Sequence, residues 1–218
     1  MIERVSVIGR GRVGSAIAGR LEERGLLAET DPELIVLCVP DAVIDDVASG
    51  LEPGSWVAHV SGGTRLAALA PHDKRFSMHP LQTFTLDRGP EQLDGAWAAV
   101  SGDDDTALET GEWLATTLGL RPFRLADADR PLYHAAAVIA ANYLVTLHDA
   151  AARLFAAVGA PPEGLEPLMR RTIENGFQLT GPIERGDTPT LDAHLAALRE
   201  RVPDLEPLYR VLADATRA

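Results

Sequence analysis

The chain has 218 residues, 46% of them hydrophobic, and a formal net charge of -12 at pH 7. That is enough apolar material for one large domain or two small ones, each with its own core. The acidic balance speaks against nucleic acid or an anionic membrane as a partner, since both require basic patches. The single cysteine, Cys38, excludes a disulfide within the chain and reads as a small buried residue.

An apolar strand follows Met1-Ile-Glu-Arg4 directly, so no secretory signal is expected. The run from His134 to Leu147 contains Asn142 and Tyr143 and is shorter than a bilayer span. Together these features predict a cytoplasmic protein without membrane partners.

Val5–Ile8 reads as a short strand, and Gly9-Arg-Gly-Arg-Val-Gly14 follows it at once. An alanine-rich amphipathic helix then runs to Gly25, a plausible C-terminal cap. The G-x-G-x-x-G spacing between a strand and a helix is the fingerprint of a dinucleotide site. Gly9 permits the tight turn, Gly11 lets a pyrophosphate approach the backbone, and Gly14 lets helix and strand pack closely. Arg10 and Arg12 add positive charge beside Val13 and the helix start.

The next segment is too short for a full crossover. Leu26–Ala28 reads as a stunted second strand, and the apolar run Leu34–Val39 begins almost at once. The acidic residue that grips an adenine ribose usually lies about 20 residues beyond the glycines. Glu29 and Asp31 fall near that place. The phosphate cradle is therefore expected intact and the adenosine wall thin. Arg10 and Arg12 tilt the choice slightly toward NADP, and Glu29 and Asp31 weakly toward NAD.

Leu34–Val39 is apolar throughout, as a parallel strand buried on both faces should be. Pro40-Asp41 ends it, with Asp41 expected to cap a helix through Val47. Trp56–Val60 predicts a strand, Ser61-Gly62-Gly63 a turn, and Leu66–Ala70 a short helix. Arg75–Met78 leads into His79-Pro80-Leu81-Gln82, expected as a strand-end loop. Ala96–Val100, Thr106–Leu118 and Pro122–Leu125 continue as strand, helix and strand. This alternation predicts a parallel sheet covered on both faces.

Ligands of such sheets bind beyond the carboxyl ends of the strands. Val39 and Pro40, Ser61, His79 and Gln82 all fall there. His79 can donate to or accept from a substrate oxygen near neutral pH, and Ser61 can share that oxygen. His59, on the strand itself, reads as structural.

After Asp127 no strand pattern remains. Pro131–Val158 predicts one long helix, and Leu165–Leu179, Leu191–Arg201 and Leu205–Ala215 three more. The predicted domains are therefore 1–126, a Rossmann-like α/β domain, and 127–218, all helical. Arg185, in the loop Gly181–Asp187, can clamp a substrate carboxylate with two parallel hydrogen bonds. Asp187 can cap the next helix or orient Arg185. The small residues of Ala135–Ala141 offer an apolar face for a second subunit.

Several segments together resemble one family. They are the glycine turn, His59-Val-Ser-Gly62, Ser77-Met-His-Pro-Leu-Gln-Thr-Phe84, the helix from Tyr133-His134 to Asn142, and Thr180-Gly-Pro-Ile-Glu-Arg-Gly-Asp187. The chain is similar along nearly its whole length to Rossmann-like proteins with the C-terminal DUF2520 domain, within the 6-phosphogluconate dehydrogenase-like superfamily. The resemblance implies NADP or NAD as cofactor and a homodimer formed through the C-terminal helices.

The His79-Pro80 corner is also similar to that of prephenate dehydrogenases, which implies a pairing of His79 with Ser61. Related reductases place a Lys-x-x-x-Asn pair on the long helix. Here Asn142 matches, but Val138 stands in the lysine position and the only lysine is Lys74. His134 is the substitute expected on roughly the same face.

The leading expectation is thus an NAD(P)-dependent oxidoreductase acting on a small carbonyl compound or hydroxy acid, with a carboxylate as the substrate handle. His79, Ser61 and Asn142 would act at the oxygen, and Arg185, Gln82 and His134 would bind substrate. No metal is expected. The alternatives are a catalytically degenerate nucleotide-binding or regulatory protein of the same fold, and a structural dimer with a vestigial glycine turn.

Overall fold

The computed structural model describes residues 2–217. Six strands form one sheet: β1 (Val5–Ile8), β2 (Leu34–Leu37), β3 (Trp56–His59), β4 (Arg75–Leu81), β5 (Trp97–Gly102) and β6 (Arg121–Arg124). The helices are α1 (Arg12–Glu23), α2 (Ile44–Ser49), α3 (Asp105–Thr117), α4 (Arg130–Ala157), α5 (Leu165–Glu174), α6 (Thr188–Arg201) and α7 (Glu206–Arg217). The α/β and all-helical parts follow the expected order. The chain divides into two compact units, the first ending at Ala140 and the second beginning at Ala141.

In the first unit the strands lie in the order β1-β2-β3-β4-β5-β6. All four residues of β2 are buried, as its unbroken apolar run requires. The core on one face gathers Ile17 and Leu21 of α1 with Leu114 and Leu118 around Phe76 and Met78. A smaller cluster on Ile35, Leu37, Ile44 and Leu69 fills beneath α2.

The stunted second strand exists as a single parallel bridge, Val5 to Leu27. The Val5 N–H donates to the Leu26 carbonyl at 2.8 Å, and the Ala28 N–H to the Val5 carbonyl at 2.9 Å. Gly25, with φ +68°, turns the chain out of α1 as expected.

Three expectations are corrected. The sheet is not parallel throughout: β4 and β5 pair antiparallel. No α-helix stands between them, only a 3-10 turn at Pro90–Leu93, and the chain returns alongside the strand it left. His79 and Pro80 are not in a loop but belong to β4, which extends beyond its ladder with β3. Proline is tolerated there because β3 has ended at His59 and that stretch has a strand on one side only. Asp41 does not cap a helix; its carboxylate accepts a hydrogen bond from Ser61 Oγ at 2.7 Å.

α4 has 28 residues, about 42 Å at 1.5 Å per residue. With the turn before it, Asp127–Ala157, it is long and apolar enough to cross a membrane by length and composition alone. That stretch exceeds the His134–Leu147 run picked out above. Its first residue nevertheless packs on the sheet, since the Arg130 side chain is fully buried.

In the second unit, α5 ends at Glu174 rather than Leu179, because Gly176 and Phe177 both take positive φ. Leu191 and Leu198 of α6, Leu205 of the turn after it and Ala213 of α7 are buried. His194 and Tyr209 join the two helices with a 2.7 Å hydrogen bond. Asp187 caps α6 by accepting from the Thr190 N–H at 3.2 Å and its hydroxyl at 2.7 Å. Arg185 and Asn142 both lie exposed in this unit.

Candidate active site

Strand register puts the site residues on one edge. Ile8 pairs with Leu37, Leu37 with His59, and His59 with Ser77. Gly9 follows the first member of this row, and His79 lies two residues past the last. Three strand spacings of roughly 4.8 Å separate β1 from β4, so the glycine turn and His79 stand on the order of 14 Å apart.

Gly9 and Gly14 are fixed by packing. Gly9 has φ +97°, and a Cβ there would lie 2.7 Å from the Cys38 carbonyl carbon. A Cβ on Gly14 would lie 2.9 Å from Cys38 Cβ. Gly11 is different: a Cβ there would meet nothing within 4 Å, so its openness faces free space.

Gly11 is also the N-cap of α1, with no side-chain cap and no acidic residue in the first turn. The amides of Arg12, Val13 and Gly14 therefore have no intrahelical acceptor. Arg10 and Arg12 are exposed beside them, with Val39 half-buried and Pro40 exposed at the end of β2. This arrangement fits a phosphate group.

The second focus is His79. Its Nδ1 lies 2.7 Å from the Tyr133 hydroxyl. His134 stacks edge-on against it, with ring centroids 5.9 Å apart. His79 Nε2 would be 2.9 Å from a Cβ at Gly62, and His134 Cδ2 3.3 Å from one at Gly63. The two glycines thus let both imidazoles close on the turn after β3. His134 Nδ1 is buried and has no partner among the described residues.

Beneath the histidines lies Arg130, the largest fully buried side chain. Its guanidinium donates to the Thr64 carbonyl at 2.7 Å, Ser77 Oγ at 2.5 Å and Ser101 Oγ at 3.1 Å, and to the Ser61 carbonyl. Burial pushes its pKa down, opposed by Asp127, Tyr133 and Asp41 nearby.

Ser61 and His79, expected to share a substrate oxygen, each have hydrogen-bond partners of their own. Ser61 Oγ donates to the Asp41 carboxylate at 2.7 Å, lies 2.9 Å from Thr64 Oγ1, and accepts from the Gly63 and Thr64 amides. It organises its own turn, and the hydroxyl on His79 is that of Tyr133. Gln82 is exposed, and its Oε1 accepts from the Thr83 amide at 2.8 Å. His59 is fully buried, and its Nδ1 accepts from the Ser61 amide at 3.2 Å.

Sequence reasoning gave no role to Arg130 or Tyr133. One signal was present: an arginine opening a helix opposes the helix dipole, so it needs another reason to be there. Tyr133 follows one turn later on the same face.

Burial pushes the His79 pKa down to about 4, helped by the Arg130 charge and His134 and opposed by Asp41. Burial likewise pushes His59 down to about 3. Both imidazoles are neutral at pH 7. The unfolded chain then binds more protons than the folded one between the ordinary histidine value of about 6.5 and these lowered values. Stability from both groups is complete above about pH 6.5 and declines as pH falls toward 4. Circular dichroism melts should show Tm dropping steadily between about pH 7 and 4.5, with a shallower slope in His79→Asn. A level Tm across that interval would contradict the assigned shifts.

The sheet, the glycine turn and the following helices define a Rossmann-type fold. BF3122 from Bacteroides fragilis, provisionally described as an NADP oxidoreductase, superposes with a TM-score of 0.82 at 19% identity, covering 99% of this chain and 98% of that one. Protein TM1727 from Thermotoga maritima gives 0.75 at 24% identity, covering 98% and 100%. A reductive aminase from Aspergillus terreus, solved with NADPH and ethyl levulinate, gives 0.70 at 19%, covering 100% and 94%. At these identities the likeness is one of fold.

Comparison with curated proteins by sequence gives no match. The family model of the domain of unknown function DUF2520 matches residues 96–216, more than half of the chain. The chain belongs to the DUF2520 family.

Proposed function

We propose that this chain is an NAD(P)-dependent oxidoreductase acting on a small carbonyl compound or hydroxy acid. The observation that carries the proposal is His79, hydrogen-bonded to Tyr133 on the same sheet edge as an open, uncapped glycine turn. The Aspergillus neighbour of the same fold binds NADPH.

The nicotinamide, when bound, supplies or accepts hydride at the substrate carbon. The first-turn amides of α1 hold its phosphates, with Arg10 and Arg12 adding charge. With Tyr133 donating to Nδ1, His79 carries its proton on Nε2 and presents it to the substrate oxygen. In the reducing direction, that proton passes to the oxygen as charge develops, while the Tyr133 proton moves to Nδ1. Burial raises Tyr133 to about 12, and Arg130 partly offsets this by favouring the phenolate. Solvent then restores the tyrosine proton. The relay replaces the lysine this chain lacks.

Asn142 at the substrate oxygen, and Arg185 as carboxylate anchor, are proposed from the resemblance, as is substrate binding by His134 and Gln82. We also propose a cytoplasmic homodimer, supported by exposed Ile139, Tyr143 and Val145 on α4. The second reading, a nucleotide binder without turnover, is favoured by Val138 in the lysine position.

Fluorescence titration of the purified protein with NADH and NADPH, then assays with a panel of 2-oxo acids, separates these readings. Binding with turnover is expected. Binding without turnover would favour the second reading, and no binding at about millimolar nucleotide would remove both.

A further inference from the structure

We propose that this site holds its cofactor by the nicotinamide and phosphate half and gives the adenosine no protein seat. Reduced nicotinamide mononucleotide should then bind about as well as NADH, and NADH about as well as NADPH. The inference rests on the cofactor reading above and concerns which part of the cofactor the chain grips.

The argument is the path of residues 25–34. By sequence count Glu29 and Asp31 stand where a ribose-gripping acid belongs, 20 positions after Gly9 and Gly11 respectively. In space they stand elsewhere. The stub Leu26–Ala28 meets β1 at Val5, its first residue, and the Leu26 amide donates back to the Leu21 carbonyl of α1. On the other side of β1, Leu34 pairs with that same Val5. The intervening residues therefore pass around the N-terminal end of β1 and never climb it.

That passage is pinned. The Glu33 carboxylate accepts from the Glu3 amide at 2.8 Å and the Arg4 amide at 3.1 Å. Arg4 Nε donates to the Asp31 carbonyl at 2.6 Å. The glycine turn begins beyond Ile8, three residues and roughly 10 Å up the strand. These bonds hold the Asp31 backbone and the Glu33 carboxylate at the foot of β1, away from the glycine turn at its head.

The missing crossover also removes what would flank an adenine. A full fold extends the second strand to the carboxyl edge and continues into a helix and a third strand. Here the stub makes one bridge and the chain leaves. Arg10 and Arg12, which flank Gly11 in the glycine turn, are both exposed. Screened by solvent, they give a 2′-phosphate no more than a few-fold advantage.

The test is isothermal titration of the full-length protein with reduced nicotinamide mononucleotide, NADH and NADPH in turn. Expected are dissociation constants for the mononucleotide and NADH within about fivefold, and for NADPH no more than about fivefold below NADH. Glu29→Ala and Asp31→Ala should leave NADH affinity within about twofold. A dinucleotide bound more than about fivefold tighter than the mononucleotide, or a larger loss in either variant, overturns the inference and leaves the cofactor reading standing. If none of the three nucleotides binds, the cofactor reading fails and takes this inference with it.

Discussion

Arg130→Met is expected to destabilise the protein by about 3–5 kcal/mol, read from urea denaturation monitored by tryptophan fluorescence. Arg130 is 0% exposed, and its guanidinium reaches three separate segments. Ser77 on β4 and Ser101 on β5 are cross-strand partners, and both place a hydroxyl on the same guanidinium nitrogen. The other two contacts are the carbonyls of Ser61 and Thr64, at either end of the turn after β3. Methionine fills similar space but supplies no donor, so these acceptors stay buried with fewer partners.

Arg130→Lys should recover part of the loss, since an ammonium cannot reproduce the planar fork. A cost below about 1 kcal/mol for Arg130→Met would show that the guanidinium does not tie the turn to the sheet. The same substitution carries an electrostatic signature. The Arg130 charge helps hold His79 neutral, so its removal should raise the His79 pKa toward the ordinary range. Ring proton shifts followed by NMR against pH would report this directly.

The second large effect falls on turnover. His79→Ala is expected to lower kcat by about 100- to 10,000-fold, the usual weight of a positioned acid-base group. Nucleotide affinity should stay within about threefold, because the glycine turn holds the phosphates independently. Tyr133→Phe keeps the ring packing against Phe123 but removes the hydroxyl at 2.7 Å from His79 Nδ1. It should cost at least about tenfold in kcat with little change in KM, and in the reducing direction the rate should recover partly as pH falls and an imidazolium supplies the proton. Unchanged rates in His79→Ala would take the imidazole out of the mechanism, and unchanged rates in Tyr133→Phe alone would reduce it to a lone donor.

The glycine turn was legible in sequence because Gly9 and Gly14 answer demands that only glycine meets. Positive φ at Gly9 and contact with Cys38 at Gly14 leave no room for another residue. The strands were legible from apolar runs, and the helical half from the loss of those runs after residue 127. Strand direction was not, because a hydrophobic pattern fixes a strand's faces and leaves open which way its neighbour runs. Hence the antiparallel β4–β5 pair went unforeseen.

His79 was singled out because a histidine at a strand end has few ordinary reasons to be there. Its hydrogen bond to Tyr133 was not legible, because only folding brings together two residues 54 positions apart. Glu29 and Asp31 teach the same lesson differently: a count along the chain gives distance without direction.

The shortened crossover bears on how the protein folds. Val5 and Leu34 pair across a separation of only 29 positions. The entropy of closing such a loop grows as the logarithm of its length, and halving a loop saves roughly 0.6 kcal/mol. The neighbouring ladders close over shorter separations still, as Leu81 with Trp97 does, so the whole sheet is built from local pairings that need no long loop to close.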